Sequence, residues 1–118
     1  MPRPVQSRKI EFAPRFTFFK PAGVPRIALA ETALTLDELE ALRLADLHGL
    51  YQEQAAPKMG ISRSAFARIL KSARMKVADA LVHGKCLRLR GGPVLKAPGR
   101  AGVCPRDCPC RQRKGRQP

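Results

Sequence analysis

Basic and small polar residues recur immediately after Ser62, and they are of the types that contact nucleic acid. Arginine can donate two parallel hydrogen bonds to guanine in the major groove, and serine and lysine can also reach base edges. Residues three and four positions apart share one face of a helix, so such a set can read a groove together. The candidates for contact with base edges are Arg63, Ser64, Ala67, Arg68 and Lys71.

Three further residues flank this set and are candidates for contact with the phosphate backbone. Contacts with phosphates position a protein on the duplex without reading its sequence. A lysine, a hydroxyl at the start of a helix and a flanking arginine are suited to that role. These candidates are Lys58, Ser62 and Arg74.

A cluster of cysteines near the C-terminus is the second group with potential chemistry. Cys104, Cys108 and Cys110 are close enough in the chain to gather one soft metal ion, either Zn or the iron of an Fe–S cluster. A structural zinc site takes four ligands, so Cys86 is the tentative fourth ligand and His83 is the alternative. Two other interpretations stay open: a reduced, disordered basic tail that attracts DNA without a metal, or a redox sensor.

A helix that contacts bases in the major groove is held in place by a preceding helix and a turn, and the sequence predicts both. A short helix is expected from Tyr51 to Met59, Gly60 suits a left-handed turn, and Ser62 suits the cap of the next helix. This order predicts a helix-turn-helix in which the second helix presents its N-terminal residues to the major groove. Pro57 removes a backbone donor from the bracing helix, which is therefore expected to start late or to bend.

The third helix is expected from Arg63 to Val82 and has one apolar face, which we predict to be core. Beyond Lys71 its exposed side carries Met75 and Ala78, a place where a homodimer contact would fit. The predicted core stripe consists of Phe66, Ile69, Leu70, Ala73, Val77, Ala80 and Leu81.

An acidic first helix is expected to begin after Thr35 and to end before Gly49. The Thr35 hydroxyl and the Glu38 carboxylate have the spacing of a capping box, and the leucines that follow have helical spacing. Because this helix begins with several acidic residues, we expect it not to face DNA.

The segments outside the helices are expected to be extended or basic. Residues 1–33 form a basic arm and an extended or hairpin segment, with Arg3, Arg8 and Lys9 as either a mobile arm or a frayed terminus. A short strand from Cys86 to Arg90 is expected to pair with it. The Gly91, Gly92 and Pro93 run marks the expected end of packed structure. The predicted organisation is therefore 1–33, a helix-turn-helix domain at 34–92 and a basic cysteine-containing tail at 93–118, in a mainly α fold with three helices.

Composition favours a nucleic-acid partner over the alternatives. The chain has 118 residues and a formal net charge of +14, and phosphate backbones are the commonest partners of such a surface. We expect a cytoplasmic protein, because the sequence has neither a secretory signal nor an apolar run long enough for a membrane span. We expect no enzyme, because there is no nucleophile with a base and no phosphate-cradling loop.

The runs Leu34 to Leu44, Gly60 to Ser64 and Arg68 to Leu70 resemble the DNA-binding region four of bacterial sigma factors. The chain also resembles, over roughly residues 1–92, uncharacterised protein family 0251 (domain of unknown function 134), small prokaryotic proteins described only as predicted DNA-binding proteins. The matching pieces include Met1 to Pro4, Phe19 to Gly23, Asp37 to Leu44, Lys76 to Leu81 and Gly91-Gly92. Pro57 and Cys86 depart from the expected pattern.

These resemblances imply a sigma region-four-like helix-turn-helix and, by analogy with sigma factors, RNA polymerase as a partner. We expect sequence-specific binding to double-stranded DNA by a transcriptional regulator. The alternatives are a nonspecific architectural protein that binds DNA or RNA, and a metal- or redox-responsive regulator that uses the cysteine tail.

Overall fold

The computed structural model describes residues 7–95, and in that range the chain is mainly α-helical with short strands. The helices are α1 (Leu36–Leu42), α2 (Gln52–Met59) and α3 (Arg63–His83). A π-helical turn at Arg43–Leu47 continues α1, and a 3-10 turn lies at Arg26–Ala28. The strands are β1 (Arg8–Lys9), β2 (Phe18–Phe19), β3 (Glu31–Leu34), β4 (Cys86–Leu89) and β5 (Val94–Leu95). The expected mainly α fold with three helices is confirmed for this range.

The residues that begin and end the helices are the expected ones. The backbone N–H of Thr35 donates to Glu38 Oε1 at 2.9 Å, and Ser62 Oγ accepts from the N–H of Ala65 at 3.1 Å. Gly60 ends α2 with φ of 69°, a left-handed conformation that glycine adopts without steric penalty. Both caps leave fewer unpaired amides at the helix starts, so α1 and α3 begin where the sequence predicts.

Pro57 does not delay the start of α2, which begins at Gln52 and continues through the proline to Met59. A proline at this position removes the N–H that would donate to the carbonyl of Glu53. Both Pro57 and Glu53 are exposed, so water can take the place of the missing donor. The expectation of a late start is therefore wrong.

A three-stranded sheet joins the N-terminal segment to the chain after α3. Its central strand is β4, which pairs antiparallel with β2 and parallel with β3. The expected strand after Cys86 and its pairing with the N-terminal segment are thus both observed. A separate parallel pair joins β1 to β5, with Arg8 opposite Val94 and Lys9 opposite Leu95.

The sequence predicts that the glycines after β4 mark the end of packed structure, and this prediction is wrong. Gly91 O accepts a hydrogen bond from the N–H of Leu36 at 3.0 Å, and β5 follows. At Gly92 a Cβ would lie 2.7 Å from Asp37 Oδ1 and 2.9 Å from Thr35 Cβ. The chain therefore passes directly against the start of α1, where only glycine fits without displacing a neighbour.

The core has two clusters of buried side chains, and Leu42 of α1 packs against both. Phe66 is fully buried between α1, α2 and the start of α3, and Leu34 is buried with Ala73 and Leu89 beneath the sheet. The predicted stripe of α3 is buried at Phe66, Ile69, Leu70, Ala73 and Ala80, and Val77 is partly buried. Leu81 is 79% exposed, so its place in the core was predicted wrongly. Within residues 7–95, no helix has the length and apolarity required to cross a membrane.

Candidate nucleic-acid interface

The side chains predicted to reach base edges lie at the start of α3, on the side away from the core. Arg63, Ser64, Arg68 and Lys71 are exposed, and Ala67 is half-buried between them. The opposite side of the same turns carries Phe66, Ile69 and Leu70, which are buried. The apolar stripe therefore fixes the rotation of α3 and leaves its basic side facing outward.

The distribution of carboxylates leaves this basic side without neutralising partners. Every carboxylate in residues 7–95 except that of Glu53 lies in an ion pair with a basic side chain elsewhere. Among the salt bridges of these residues, none involves Arg63, Arg68 or Lys71. The start of α3 therefore presents positive charge to solvent that no ion pair of the described residues neutralises.

Glu38 illustrates how the acidic residues of α1 are used internally. Its carboxylate lies 2.8 Å from Lys76 Nζ and also accepts hydrogen bonds from the Ser72 hydroxyl and the Thr35 amide. Burial raises the pKa of this carboxyl, but the hydrogen bonds from Lys76, Ser72 and Thr35 outweigh burial and hold the pKa below its ordinary value. Glu38 therefore caps α1 and fastens it to the middle of α3.

A second buried carboxylate fastens the N-terminal segment to α1. Glu40 Oε2 lies 2.8 Å from Arg43 Nη2 and accepts the backbone N–H of Glu11 at 3.0 Å. Both side chains of the pair are almost fully buried. The sequence did not predict that these acidic side chains of α1 would be buried.

The three predicted backbone-contact residues differ in their surroundings. Lys58 is exposed near the end of α2, next to the Gly60 turn. Ser62 Oγ accepts the amide of Ala65 and lies 3.3 Å from Ser64 Oγ, in a hydrogen bond that either hydroxyl can donate. Arg74 lies 2.7 Å from Asp46 Oδ1, and this hydrogen-bonded partner raises the pKa of the guanidinium. A phosphate would have to compete with Asp46 for Arg74.

Only two of the predicted metal ligands, Cys86 and its alternative His83, lie within the described residues. Cys86 is buried in β4, and its thiol donates to the carbonyl oxygen of Ala30 at 3.3 Å. His83 Nδ1 lies 2.7 Å from Asp79 Oδ1. Residues 7–95 contain no group of three or more His, Cys, Asp or Glu side chains arranged to hold a metal ion. Cys104, Cys108 and Cys110 lie outside the described residues.

Arg8 and Lys9 are in strand β1, and Arg3 lies outside the described residues. Arg8 Nε is 4.0 Å from Asp37 Oδ2, and Lys9 is exposed beside the Gly60 turn. The two expectations for these residues, a mobile arm or a frayed terminus, do not describe Arg8 and Lys9. Sequence spacing has no signal for their position, because it depends on pairing with residues more than eighty positions away.

The fold and the site together define a class of protein. It is small and mainly α, and it has a basic face at the start of α3 that no ion pair of the described residues neutralises. The chain belongs to the family described as protein of unknown function DUF134, which matches residues 1–97. The predicted family membership is confirmed.

Several relatives share most of this chain. A UPF0251 protein of Moorella thermoacetica is 58% identical over 92 residues, which cover 78% of this chain and 62% of that protein. A UPF0251 protein of Pelotomaculum thermopropionicum is 54% identical over 92 residues, which cover 78% of this chain and 70% of that protein. A UPF0251 protein of Prosthecochloris aestuarii is 46% identical over 108 residues, which cover 92% of this chain and 70% of that protein. The chain thus spans less than two thirds of the Moorella relative. No solved structure matches the chain significantly.

Proposed function

We propose that this protein binds double-stranded DNA sequence-specifically, with α2, the Gly60 turn and α3 acting as a helix-turn-helix. The observation that carries the proposal is the exposed basic set at the start of α3, which takes part in no ion pair, whereas every carboxylate of residues 7–95 except that of Glu53 is held in one. In such a motif the N-terminal residues of the second helix enter the major groove. Arg68 and Arg63 would read guanines, with Ser64, Ala67 and Lys71 completing the contact.

The packing beneath α2 and α3 supports this use. Ala55, Ala56 and Met59 of α2 are buried in the same cluster as Phe66 and Leu70 of α3. Small residues at Ala55 and Ala56 allow the two helix backbones to approach closely, and Gly60 permits a short reversal between them. A rigid crossing of this kind would hold the side chains of α3 in a fixed relation to the phosphates that α2 contacts.

A role as a transcriptional regulator follows from sequence-specific binding, and the sigma-like resemblance adds RNA polymerase as a proposed partner. Selection of bound duplexes from a random pool, followed by measurement of affinity for the selected and a scrambled duplex, tests the proposal. Arg68→Ala should lose roughly 1–3 kcal/mol of discrimination between the two duplexes. Lys20→Ala is the control, because Lys20 is an exposed lysine outside this surface whose Nζ donates to the carbonyl of Val24.

Nonspecific binding to DNA or RNA is the second candidate, and the charge distribution supports it. From Lys85 to Pro118 the chain has ten basic residues and one acidic residue. Attraction of these residues to phosphates would carry no sequence information. The random-pool experiment separates the two candidates, because a nonspecific protein yields no enriched sequence and binds selected and scrambled duplexes equally.

A further inference from the structure

The strand pair β1–β5 places a lysine on the turn that precedes α3. The Cγ, Cδ and Cε atoms of Lys9 lie 3.7–3.8 Å from the position that a Cβ of Gly60 would occupy. This is ordinary van der Waals contact, so the aliphatic part of Lys9 rests on the turn while its ammonium group remains exposed. Lys9 takes part in none of the salt bridges of residues 7–95.

The backbone on both sides of Lys9 is held in place. Before it, the N–H of Arg8 donates to the carbonyl of Pro93 at 2.8 Å in the pairing of β1 with β5. After it, Ile10 is 5% exposed and the N–H of Glu11 donates to the buried Glu40 carboxylate. Lys9 is therefore presented from a fixed strand, and little backbone entropy remains to be lost when its ammonium group binds an anion.

The same strand pair also lies next to Arg68, one of the residues proposed to contact base edges. Arg8 and Pro93 line a cleft of about 350 Å³ together with Arg68 of α3. The carboxylates of Asp37 and Glu38 also line this cleft, and they pair with Arg8 and Lys76. Arg8 Nε is buried without a hydrogen-bond partner among residues 7–95, and Asp37 is the carboxylate nearest to it in the salt bridges described. The β1–β5 pair thus adjoins α3 on the side of Arg68 and adjoins the turn at Lys9.

We propose that the β1–β5 strand pair is part of the nucleic-acid surface and that Lys9 binds a backbone phosphate beside the groove entered by α3. This inference rests on the proposed function and extends it to a residue outside the helices. Its partner is the sugar–phosphate backbone of duplex DNA, because Lys9 offers a point charge and no base-reading geometry. Lys9 would fix the register of α3 on the duplex without adding sequence preference.

The test uses Lys9→Met in the full chain, because methionine keeps the contact with Gly60 and removes the charge. We expect weaker binding to every duplex and a salt-dependence slope smaller by about 0.9. Ethylation of phosphates should interfere with binding of the parent at one position more than with binding of Lys9→Met, and the lost position should be the phosphate that Lys9 contacts. Lys9→Arg should restore both properties, and the matched variant Lys20→Met should behave as the parent.

The outcomes separate this inference from the proposed function. If Lys71→Ala reduces the salt slope while Lys9→Met leaves the slope and the interference pattern unchanged, the strand pair is not part of the surface and the helix-turn-helix proposal stands. If the parent chain binds no duplex above background, both proposals are overturned. If Lys9→Met changes discrimination between duplexes rather than uniform affinity, its role as a phosphate contact is wrong.

Discussion

Asp46 Oδ1 lies 2.7 Å from Arg74 Nη2, and this ion pair marks the place where the unpaired basic side of α3 ends. Lys71 lies one turn before Arg74 on α3 and has no carboxylate partner in the described salt bridges, whereas Arg74 has one from the π-helical turn after α1. Both side chains of the pair are about half exposed. In the proposed function, Asp46 would therefore limit how far along α3 a nucleic-acid backbone meets basic side chains that are not in ion pairs.

Asp46→Asn should strengthen binding to DNA. The substitution releases the Arg74 guanidinium, which can then contact a phosphate, so the salt-dependence slope should rise by about 0.9. Fluorescence anisotropy across a salt series measures both affinity and slope. Glu53→Gln is the matched control, since it removes one negative charge from an exposed carboxylate that has no partner in the described salt bridges. Equal effects of the two substitutions would show that Arg74 does not reach the DNA.

Gly92→Ala should destabilise the fold more than Gly91→Ala. Both glycines have positive φ, 92° and 74°, so each alanine should cost about 1–2 kcal/mol of backbone strain. Only at Gly92 does the new Cβ meet Asp37 and Thr35, and such overpacking adds typically 1–3 kcal/mol. Urea unfolding of the two variants gives the difference. Equal stabilities would mean that the chain does not pass against the start of α1.

Glu38→Gln should lower stability at neutral pH and weaken its dependence on acid. The Glu38 pKa is below the ordinary 4.5 in the folded chain, so its stabilisation is complete above the unfolded pKa and is lost as pH falls through the folded pKa. Hydrogen bonds to a charged group contribute about 1.5–3 kcal/mol, which sets the expected loss at neutral pH.

The unfolding free energies of the parent and of Glu38→Gln, measured in urea, should therefore converge as the pH falls through the folded-state pKa of Glu38, which lies below 4.5. Glu53→Gln serves as the control, because its carboxylate is exposed and should change neither stability nor its pH profile. A constant difference between parent and Glu38→Gln at all pH values would contradict the ion pair with Lys76.

Cys86 should resist alkylation in the native protein. Its thiol is 2% exposed and donates to Ala30, so reagent reaches it only through local opening, at a rate on the order of a hundredfold below that in denaturant. Mass spectrometry of the peptide containing Cys86 measures the rate. A chelator should leave this rate unchanged. Faster alkylation after metal removal would instead support Cys86 as a ligand of the tail cluster.

The helices of this fold could be predicted because their signals are local. The start of α1 is marked by Thr35 and Glu38, the end of α2 by Gly60 and the start of α3 by Ser62. Each of these residues interacts with backbone only a few positions away, so all three boundaries were predicted correctly. The apolar stripe of α3 also indicated which side is buried, and therefore which side carries Arg68 and Lys71. The spacing of the apolar residues alone thus predicts how α3 is oriented about its own axis, and therefore which side of the helix carries the candidate site.

The remaining features depend on contacts between distant parts of the chain. The burial of Glu38 depends on Ser72 and Lys76, and the position of Lys9 depends on pairing with Leu95. Leu81 continues the helical spacing of the core, but it lies near the end of α3 and is 79% exposed. The spacing of apolar residues within one helix does not indicate where the elements packed against that helix end.

The most direct test of DNA reading by α3 is the affinity ratio between the selected duplex and its scrambled counterpart, compared for the parent and Arg68→Ala. We predict a ratio of roughly 10³ or more for the parent, as is typical of specific DNA-binding proteins. Arg68→Ala should reduce the ratio by about tenfold or more while its unfolding midpoint stays close to that of the parent. A ratio near one for the parent, or the same ratio for both proteins, would contradict DNA reading by α3.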